Sequence, residues 1–498
     1  MVPAVSRGTS SAREAALEAM KRAASGRVFL REALHAVFAE SSLDARDRAL
    51  ATQLATGAVR HRRTLRCVLS HVRGKGGPAS RIQPHLLAIL ELGAFQLLFL
   101  ERVPDYAAVN EAAQAARRAS RTPGAGRKAA GFVNGVLRGV GRLIVGRRPE
   151  GRPARDALPH PEGGVVLLGA EVLPDPEADR VAFLGAAYSM PDWLVGRWLQ
   201  TYGVAATEDV LRWSNRRPRI FARLNPMRPD AEVLLQSLAD EAPGTDGPHA
   251  HPKQGGHATR ERKSGWHAHA VPLREHATAP RSLCVDVSGL DPARLESLLA
   301  DGSVTIQDPS AMAAVEALAP RLGETVLDLC ASPGTKTTQI LEAMGGRGRI
   351  VACDRTPEKL EPLRRALAAR GAANVTVALA DDLADAAPPD GFDAALVDVP
   401  CSNTGVLARR VEARWRLRPE DLEELPRIQG ELLAKAAGLV RPGGRLVYST
   451  CSLEPEENAG VVAAFERAHP EWRLVASEQV LPAADRDGAF WALLVRAG

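Results

Sequence analysis

The sequence lacks several features, and each absence excludes a class of protein. No apolar run reaches the roughly 18 residues that a membrane-spanning helix needs. The first residues contain no compact apolar stretch ending in a cleavage site, so a secretory leader is not expected. Six cysteines (67, 284, 330, 353, 401 and 451) are scattered without a C-x-x-C pair or finger-like spacing. That argues against a disulfide framework and for free thiols in a reducing cytoplasm. The glycine pattern G-x-G-x-x-G of dinucleotide oxidoreductases is absent. A phosphate-binding P-loop is missing too, because no glycine precedes Lys336 directly or stands five residues further back.

What is present is ordinary globular material: 498 residues, 45% hydrophobic and 25% charged, enough for about three domains. The net charge of +5 is unevenly spread. Residues 1–150 hold 25 Lys and Arg against 11 Asp and Glu, and the remainder is acidic. A basic front end on a near-neutral body points to a polyanion partner, most simply nucleic acid. Within it Arg60, Arg62, Arg63 and Arg66 cluster, and Arg216, Arg217 and Arg219 form a second group.

Apolar residues recur at helical spacing through residues 11–145, so 1–145 is read as an all-helical domain. Residues 146–180, rich in Pro, Gly and Arg, are read as a linker. Residues 181–305 are read as a small α+β domain, with a helix from Pro191 to Tyr202 and a strand over Arg219–Asn225. It carries a polar, disordered insertion at 244–272. That insertion holds His249, His251, His257, His267 and His269, but no cysteine accompanies them, the context is low-complexity, and no metal site is expected.

From 306 to 498 short apolar segments alternate with helical ones. Strands are expected at 325–330, 349–354, 374–379, 393–398 and 444–450, with helices at 337–343, 358–370 and 426–440. The alternation implies an α/β domain with a parallel, doubly wound sheet, and 488–496 is expected as an antiparallel edge strand. In such sheets a nucleotide-like cofactor lies at the turn after the first strand. Gly334 in that turn allows close backbone approach, and the following helix start offers free N–H groups. Asp354 ends the second strand, placed for ribose hydroxyls. Asp381 follows the third, placed for an adenine amino group, and Asp398 ends the fourth at the crevice mouth.

Cys401 and Cys451 follow the fourth and fifth strands, so both thiols belong to one rim beside that crevice. A thiolate is a strong and reversible nucleophile. Added to C6 of a cytosine, it makes C5 electron-rich enough to take a methyl group from the sulfonium of S-adenosylmethionine. Asp398 can hydrogen-bond the N3/N4 edge of the base. Position alone does not say which thiol attacks. Cys67, Cys284 and Cys353 read as small buried hydrophobes, and Cys330 as part of the shape of the cofactor turn.

These words resemble a known family. Asp328-Leu329-Cys330-Ala331-Ser332-Pro333-Gly334-Thr335-Lys336-Thr337 is similar to D-L-C-A-A-P-G-G-K-T of the Sun/RsmB-like RNA cytosine-C5 methyltransferases. Asp398-Val399-Pro400-Cys401-Ser402-Asn403-Thr404-Gly405 resembles D-A-P-C-S-x-T-G, and Leu446 to Ser452 followed by Glu456-Glu457-Asn458 resembles L-V-Y-x-T-C-S and E-E-N. Residues 11–145 resemble a NusB-type helical RNA-binding domain, through Leu92 to Leu98, Ala108 to Ala112 and Gly131 to Arg138. Residues 189–225 look like the small RNA-recognition-type domain of the same family.

The resemblance implies a class I, Rossmann-like methyltransferase domain behind a NusB-like domain and a small α+β domain. It implies an S-adenosylmethionine-dependent (cytosine-C5) methyltransferase acting on 16S ribosomal RNA through a covalent Cys–C6 adduct. Cys451 is then the nucleophile, Cys401 assists release, and Asp398 serves both base and cofactor. The cofactor falls on Cys330, Ala331, Ser332, Pro333, Gly334, Thr335, Lys336, Asp354, Asp381 and Asp398. RNA is the expected partner of a cytoplasmic monomer with no membrane attachment. Thr335 replaces a family glycine and adds a Cβ to the turn. Alternative readings are transfer RNA as substrate, or a NusB-like RNA-binding factor whose catalysis is weak or lost. An amino-group methyltransferase is disfavoured, because Cys401 stands where those enzymes need an aromatic.

Overall fold

Apolar residues on every side of one helix set the layout of the N-terminal unit. The structure is a computed structural model, and it describes residues 11–26, 28–74, 77–101, 103–120, 122–241 and 283–498. The insertion at 244–272, with its five histidines, lies outside the described residues. Two compact units emerge, one reaching to Arg217 and including Leu407–Leu417, the other holding Pro218–Val406 and Arg418–Gly498.

In the first unit the helices are α1 (Ala12–Ala24), α2 (Leu30–Ala39), α3 (Ala45–Arg60), α4 (Arg62–Arg73), α5 (Pro84–Phe99), α6 (Asp105–Arg118) and α7 (Pro123–Leu143). Helix α5 buries Leu87, Ile89, Leu90, Leu92, Phe95, Leu97, Leu98 and Phe99, and packs against α1, α3, α4, α6 and α7. Gly57 of α3 makes room for the Phe95 ring, which a Cβ would strike. Side-chain caps start α1 at Ser11, α3 at Asp44 and α7 at Thr122, each accepting a first-turn N–H.

The stretch read as a linker has structure of its own. Strands β1 (Ile144–Arg148), β2 (Ala157–Pro159) and β3 (Val165–Leu168) form an antiparallel sheet in the order β1-β3-β2. The apolar Val165–Leu168 run supplies its buried face, and the Pro and Gly residues serve as turns. Helices α8 (Arg180–Ala187) and α9 (Asp192–Asn215) follow. Gly203, at φ 74°, breaks α9 one residue beyond the expected end, and a second helical segment continues it.

The cluster of arginines makes contacts inside this unit. The Arg60 guanidinium donates to the Ala408 carbonyl, 2.8 Å away. Arg63 donates to Met190 O at 2.7 Å and pairs with Asp192 at 2.6 Å. Arg66 pairs with Glu91 at 2.6 Å, and Arg62 lies over the Trp415 ring.

The second unit begins with a small antiparallel sheet of β4 (Phe221–Leu224), β5 (Cys284–Asp286) and β6 (Val304–Ile306) in the order β5-β4-β6. Helices α10 (Ala231–Glu241) and α11 (Pro292–Ala300) accompany it, around a core of Ala222, Leu224, Leu238, Val287 and Val304. After α12 (Pro309–Leu318) come β7 (Thr325–Leu329), α13 (Thr335–Ala343), β8 (Arg349–Asp354), α14 (Pro357–Ala368), β9 (Val375–Leu379) and β10 (Phe392–Asp398). The chain closes with α15 (Asp421–Leu439), β11 (Val440–Thr450), α16 (Val461–Ala468), β12 (Trp472–Val480) and β13 (Ala489–Arg496).

The large sheet runs β12-β13-β11-β10-β7-β8-β9, with β7 to β11 parallel. Its central strands are buried on both faces, as helices on either side require. The chain winds outward from β7 to β9, then returns to lay β10 on the other side of β7. That reversal opens the crevice at the strand C-termini. Strand β13 is antiparallel as expected but is not the edge: β12 pairs outside it. Strand β12 is mostly solvent-exposed, so its sequence carries only a faint apolar alternation.

Candidate active site

The crevice is framed by two turns with different tasks. The first joins β7 to α13. Cys330 takes φ +68° and Gly334 φ +103°, both in the left-handed region. A Cβ on Gly334 would come within 2.9 Å of Leu363 Cδ1 on α14, so the glycine is needed for helix packing as well as for ligand approach. No side chain caps α13, which leaves first-turn N–H groups available to a ligand. Thr335 is the first residue of α13, and its carbonyl accepts from Arg223 Nη2 at 3.1 Å. Arg223 itself is fully buried, donates to Gln307 and Thr338 at 2.8 and 2.9 Å, and pairs with Glu342. Thus the Thr335 backbone is held by Arg223 of the small sheet.

Carboxylates surround that turn. Asp354 is buried and braces it: Oδ2 accepts from Ser332 N at 3.1 Å, and Oδ1 meets Lys359 Nζ at 3.1 Å. Asp381 stands exposed in the helical turn after β9. Asp328, at the end of β7, is fully buried, and burial pushes its carboxyl up to about 7. Thr337 Oγ1 donates to its Oδ2 at 2.6 Å, while its Oδ1 has no partner among the described residues. Burial likewise pushes the Cys330 thiol up to about 12, which leaves it a neutral part of the turn.

The second task falls to the ends of β10 and β11. Asp398 and Ser449 are register partners there, and Ser449 Oγ donates to Asp398 Oδ1 at 2.8 Å. Lys336 Nζ meets Asp398 Oδ2 at 2.7 Å, linking the first turn to the second. Burial lowers the Lys336 ammonium's pKa, but the Asp398 carboxylate outweighs it, so the net shift is upward. Beyond the strand ends, Cys401 Sγ and Cys451 Sγ lie 3.2 Å apart. The hydrogen bond to Cys451, with burial, holds the Cys401 thiol well above its ordinary value. Cys451 Sγ reaches Asn403 Oδ1 at 3.4 Å, and Asn403 Nδ2 donates to Cys401 O at 2.7 Å.

The expected site residues thus fall at the strand ends of one rim, with Asp381 exposed after β9. Sequence reasoning gave no role to Asp328, Ser449, Asn403 or Glu457. Asp328 is an acid inside an otherwise apolar run, Val326 to Leu329, and Glu457 stands in the Glu456-Glu457-Asn458 word that the resemblance already marked; those were the available signals. Among the described residues no cluster of His, Cys, Asp and Glu could hold a metal, and no helix is long and apolar enough to cross a membrane.

Comparison with known proteins decides the family. Residues 315–488 match the model of the 16S rRNA methyltransferase RsmB/F, residues 10–142 that of the NusB family, and residues 190–252 the ferredoxin-like domain of RsmF/B-like methyltransferases. A probable ribosomal RNA small subunit methyltransferase B of Bacillus subtilis is 30% identical over 93% of this chain and 90% of its own length. The protein of that name from Synechocystis is 31% identical over 88% of this chain and 84% of its own. The chain belongs to the RsmB/F methyltransferase family. Among solved structures, PH0851 shares the fold over 97% of this chain and 98% of its own, with a TM-score of 0.68 at 24% identity. A methyltransferase homologue from Pyrococcus horikoshii covers 64% of this chain at a TM-score of 0.50.

Membership of this methyltransferase family makes S-adenosylmethionine the cofactor, and the crevice fits it. An uncapped helix start, the left-handed Gly334 and two strand-end carboxylates supply donors and acceptors of the kinds a nucleoside needs. When bound, it supplies a methyl carbon activated by a sulfonium.

Proposed function

We propose that the chain methylates C5 of a cytosine in 16S ribosomal RNA, in the cytoplasm, with Cys451 as the nucleophile. The observation that carries this reading is the pair of thiols 3.2 Å apart beside Asp398. The hydrogen bond to Cys451 and burial keep the Cys401 thiol protonated, which leaves attack to Cys451. Its thiolate adds to C6 of the base. The electron pair so released makes C5 the nucleophile toward the methyl carbon. Asp398, held by Lys336 and Ser449, keeps lone pairs for the N3/N4 edge of the base. Loss of the C5 proton and expulsion of Cys451 Sγ regenerate the aromatic base, with Cys401 assisting that release. The binding sites of the cofactor are the turn from Cys330 to Lys336 with Asp354, Asp381 and Asp398.

Bisulfite sequencing of total RNA with and without the gene tests the substrate. One cytosine in small-subunit ribosomal RNA should lose protection, whereas a transfer RNA site would move the assignment there. Two variants test the chemistry. Cys451→Ala should abolish methylation and form no adduct. Cys401→Ala should accumulate an RNA–protein adduct stable to denaturing electrophoresis. Reversed behaviour would exchange the roles, and two active variants would remove the covalent route.

A further inference from the structure

Behind the thiols lies a buried carboxylate with no cation among the described residues to neutralise it. Glu457 is fully buried just before α16, in a five-residue π-helical turn, Glu456–Gly460. Its Oε2 accepts from the Ser402 backbone N–H at 2.9 Å and from Gln429 Nε2 at 2.8 Å. Its Oε1 accepts from Ser452 Oγ at 2.7 Å. Ser402 and Ser452 each follow a rim cysteine, Cys401 and Cys451. One side chain therefore grips both thiol-bearing loops.

The grip extends around it. Ser402 Oγ and Ser452 Oγ lie 2.9 Å apart, and Gly405 N donates to Cys451 O at 2.9 Å. Gln429 Nε2 also reaches Pro400 O at 3.0 Å, on the residue before Cys401. Tyr448 OH donates to the Glu457 carbonyl at 2.6 Å. A buried carboxylate is costly unless every lone pair is used, and apolar residues of equal size usually pack as well. Keeping one here makes sense if its value is geometric, because charge-assisted bonds are short and directional.

We propose that Glu457 is a positioning residue that sets the spacing of the two thiols by fixing the backbone after each of them. It touches neither substrate nor cofactor. The inference rests on the reading that these cysteines carry the chemistry, but its test does not require that reading to hold.

The test uses the full chain, with Glu457→Gln as the isosteric variant and Glu457→Ala as the deletion. Phenylarsine oxide binds two thiols at once, forming two As–S bonds and releasing water, and so reports their spacing without catalysis. The wild type should bind one equivalent, and Cys401→Ser should remove that binding. An amide cannot accept from all three donors, so Glu457→Gln should raise the arsenical dissociation constant about 10-fold or more. Its kcat for methylation should fall by a similar factor, with S-adenosylmethionine affinity and KM for RNA within about twofold. Glu457→Ala should lose more on the same two readouts. Intact S-adenosylmethionine binding is the check that each variant is folded. Wild-type arsenical affinity in Glu457→Gln would overturn the proposal, and so would a wild-type protein that does not capture the arsenical. If the arsenical result holds while Cys451→Ala still methylates, the covalent reading fails and the positioning role stands.

Discussion

The two units differ in the ions they bury at the ends of their elements. The helical unit buries Arg60 and Arg414 beside the acids Glu91 and Glu412. Arg414, from the Leu407–Leu417 segment, is fully buried and faces no carboxylate among the described residues. Its guanidinium donates to Asn215 Oδ1 at 2.9 Å, Ser214 O at 2.8 Å, Ser189 O at 3.3 Å and Leu407 O at 3.2 Å. Ser214 lies in the last turn of α9, Ser189 just past α8, and Arg60 O, at 3.5 Å, ends α3. In the catalytic unit most buried ions are acids: Asp328, Asp354 and Glu457, held by backbone N–H groups, hydroxyls and an amide. Helix C-termini present orphan carbonyls and the negative end of the dipole, which suit arginine. Strand-to-helix turns present N–H groups, which suit carboxylates. Arg414 and these three acids thus match the element ends that they meet.

The sharpest way to break this comparison is to remove its largest cation. Arg414→Met should leave at least four acceptors without their donor and destabilise the helical unit by about 3–5 kcal/mol. Arg414→Lys should recover part of the loss, since an ammonium cannot fork to so many carbonyls. Denaturant unfolding with hydrogen exchange on α3 and α9 measures both. A loss below about 1 kcal/mol would mean that Arg414 is only tolerated there. Burial already lowers its pKa to about 9, a sign of how much solvation it has given up.

A second effect concerns the acid side. Asp328 has a folded pKa near 7, raised by burial, against an ordinary value of 3.8. Between those values the folded state binds more protons than the unfolded chain. Stability from this group is therefore full below about pH 4 and is lost as pH rises through about 7. Asp328→Asn should match the wild type at pH 4.5 and exceed its stability at pH 8 by about 2–4 kcal/mol. Parallel curves from pH 4.5 to 8 would show that Asp328 is ionised without cost.

How much of this was legible in the residues follows the same physics. Strands β7, β8, β10 and β11 were readable because their apolar runs are buried on both faces and end at turn residues. The thiol rim was readable because strand ends in a parallel sheet share one edge. Strands β1 to β3 were hidden in a Pro- and Gly-rich stretch whose only strong signal is Val165–Leu168. Strand β12 was hidden by its exposure. That Leu407–Leu417 belongs with the helical unit, and that Glu457 joins two loops, depend on partners 28 to more than 300 residues away. No local pattern encodes such contacts. The arginine cluster is hard to read for a related reason: sequence shows a charge but not whether a carbonyl already claims it.

Asp354 tests the cofactor side more narrowly. Its carboxylate already holds Ser332 N, so it shapes the turn and has limited capacity left for a ribose. Asp354→Ala should weaken S-adenosylmethionine binding by about 1.5–3 kcal/mol, typical of a lost charged hydrogen bond. Calorimetry checks the loss. Unchanged binding would mean the turn keeps its shape without Asp354 and that no ribose bond runs through it.

The smallest expected effect returns to the arginines, and to those the fold leaves unspent. Arg60, Arg62, Arg63 and Arg66 are engaged inside the helical unit, so they are poor candidates for phosphate contacts. Arg138 and Arg142 are exposed and line an open cavity of about 600 Å³ with Tyr106, Asn110 and Asn134. Tyr106 is 79% exposed, a large ring with a free face of the kind on which an unpaired base can stack. If RNA phosphates meet these arginines, each Arg→Ala change should lower the salt slope of RNA binding by about 1, with no loss of fold stability. Arg63→Ala should do the opposite: it gives up its bonds to Met190 O and Asp192, lowers stability and leaves the slope alone. Filter binding across a salt series, beside thermal unfolding of the same variants, reads both quantities. A slope that falls for Arg63→Ala but not for Arg138→Ala would place the RNA on the internally paired arginines after all, and the division between spent and unspent charge would fail.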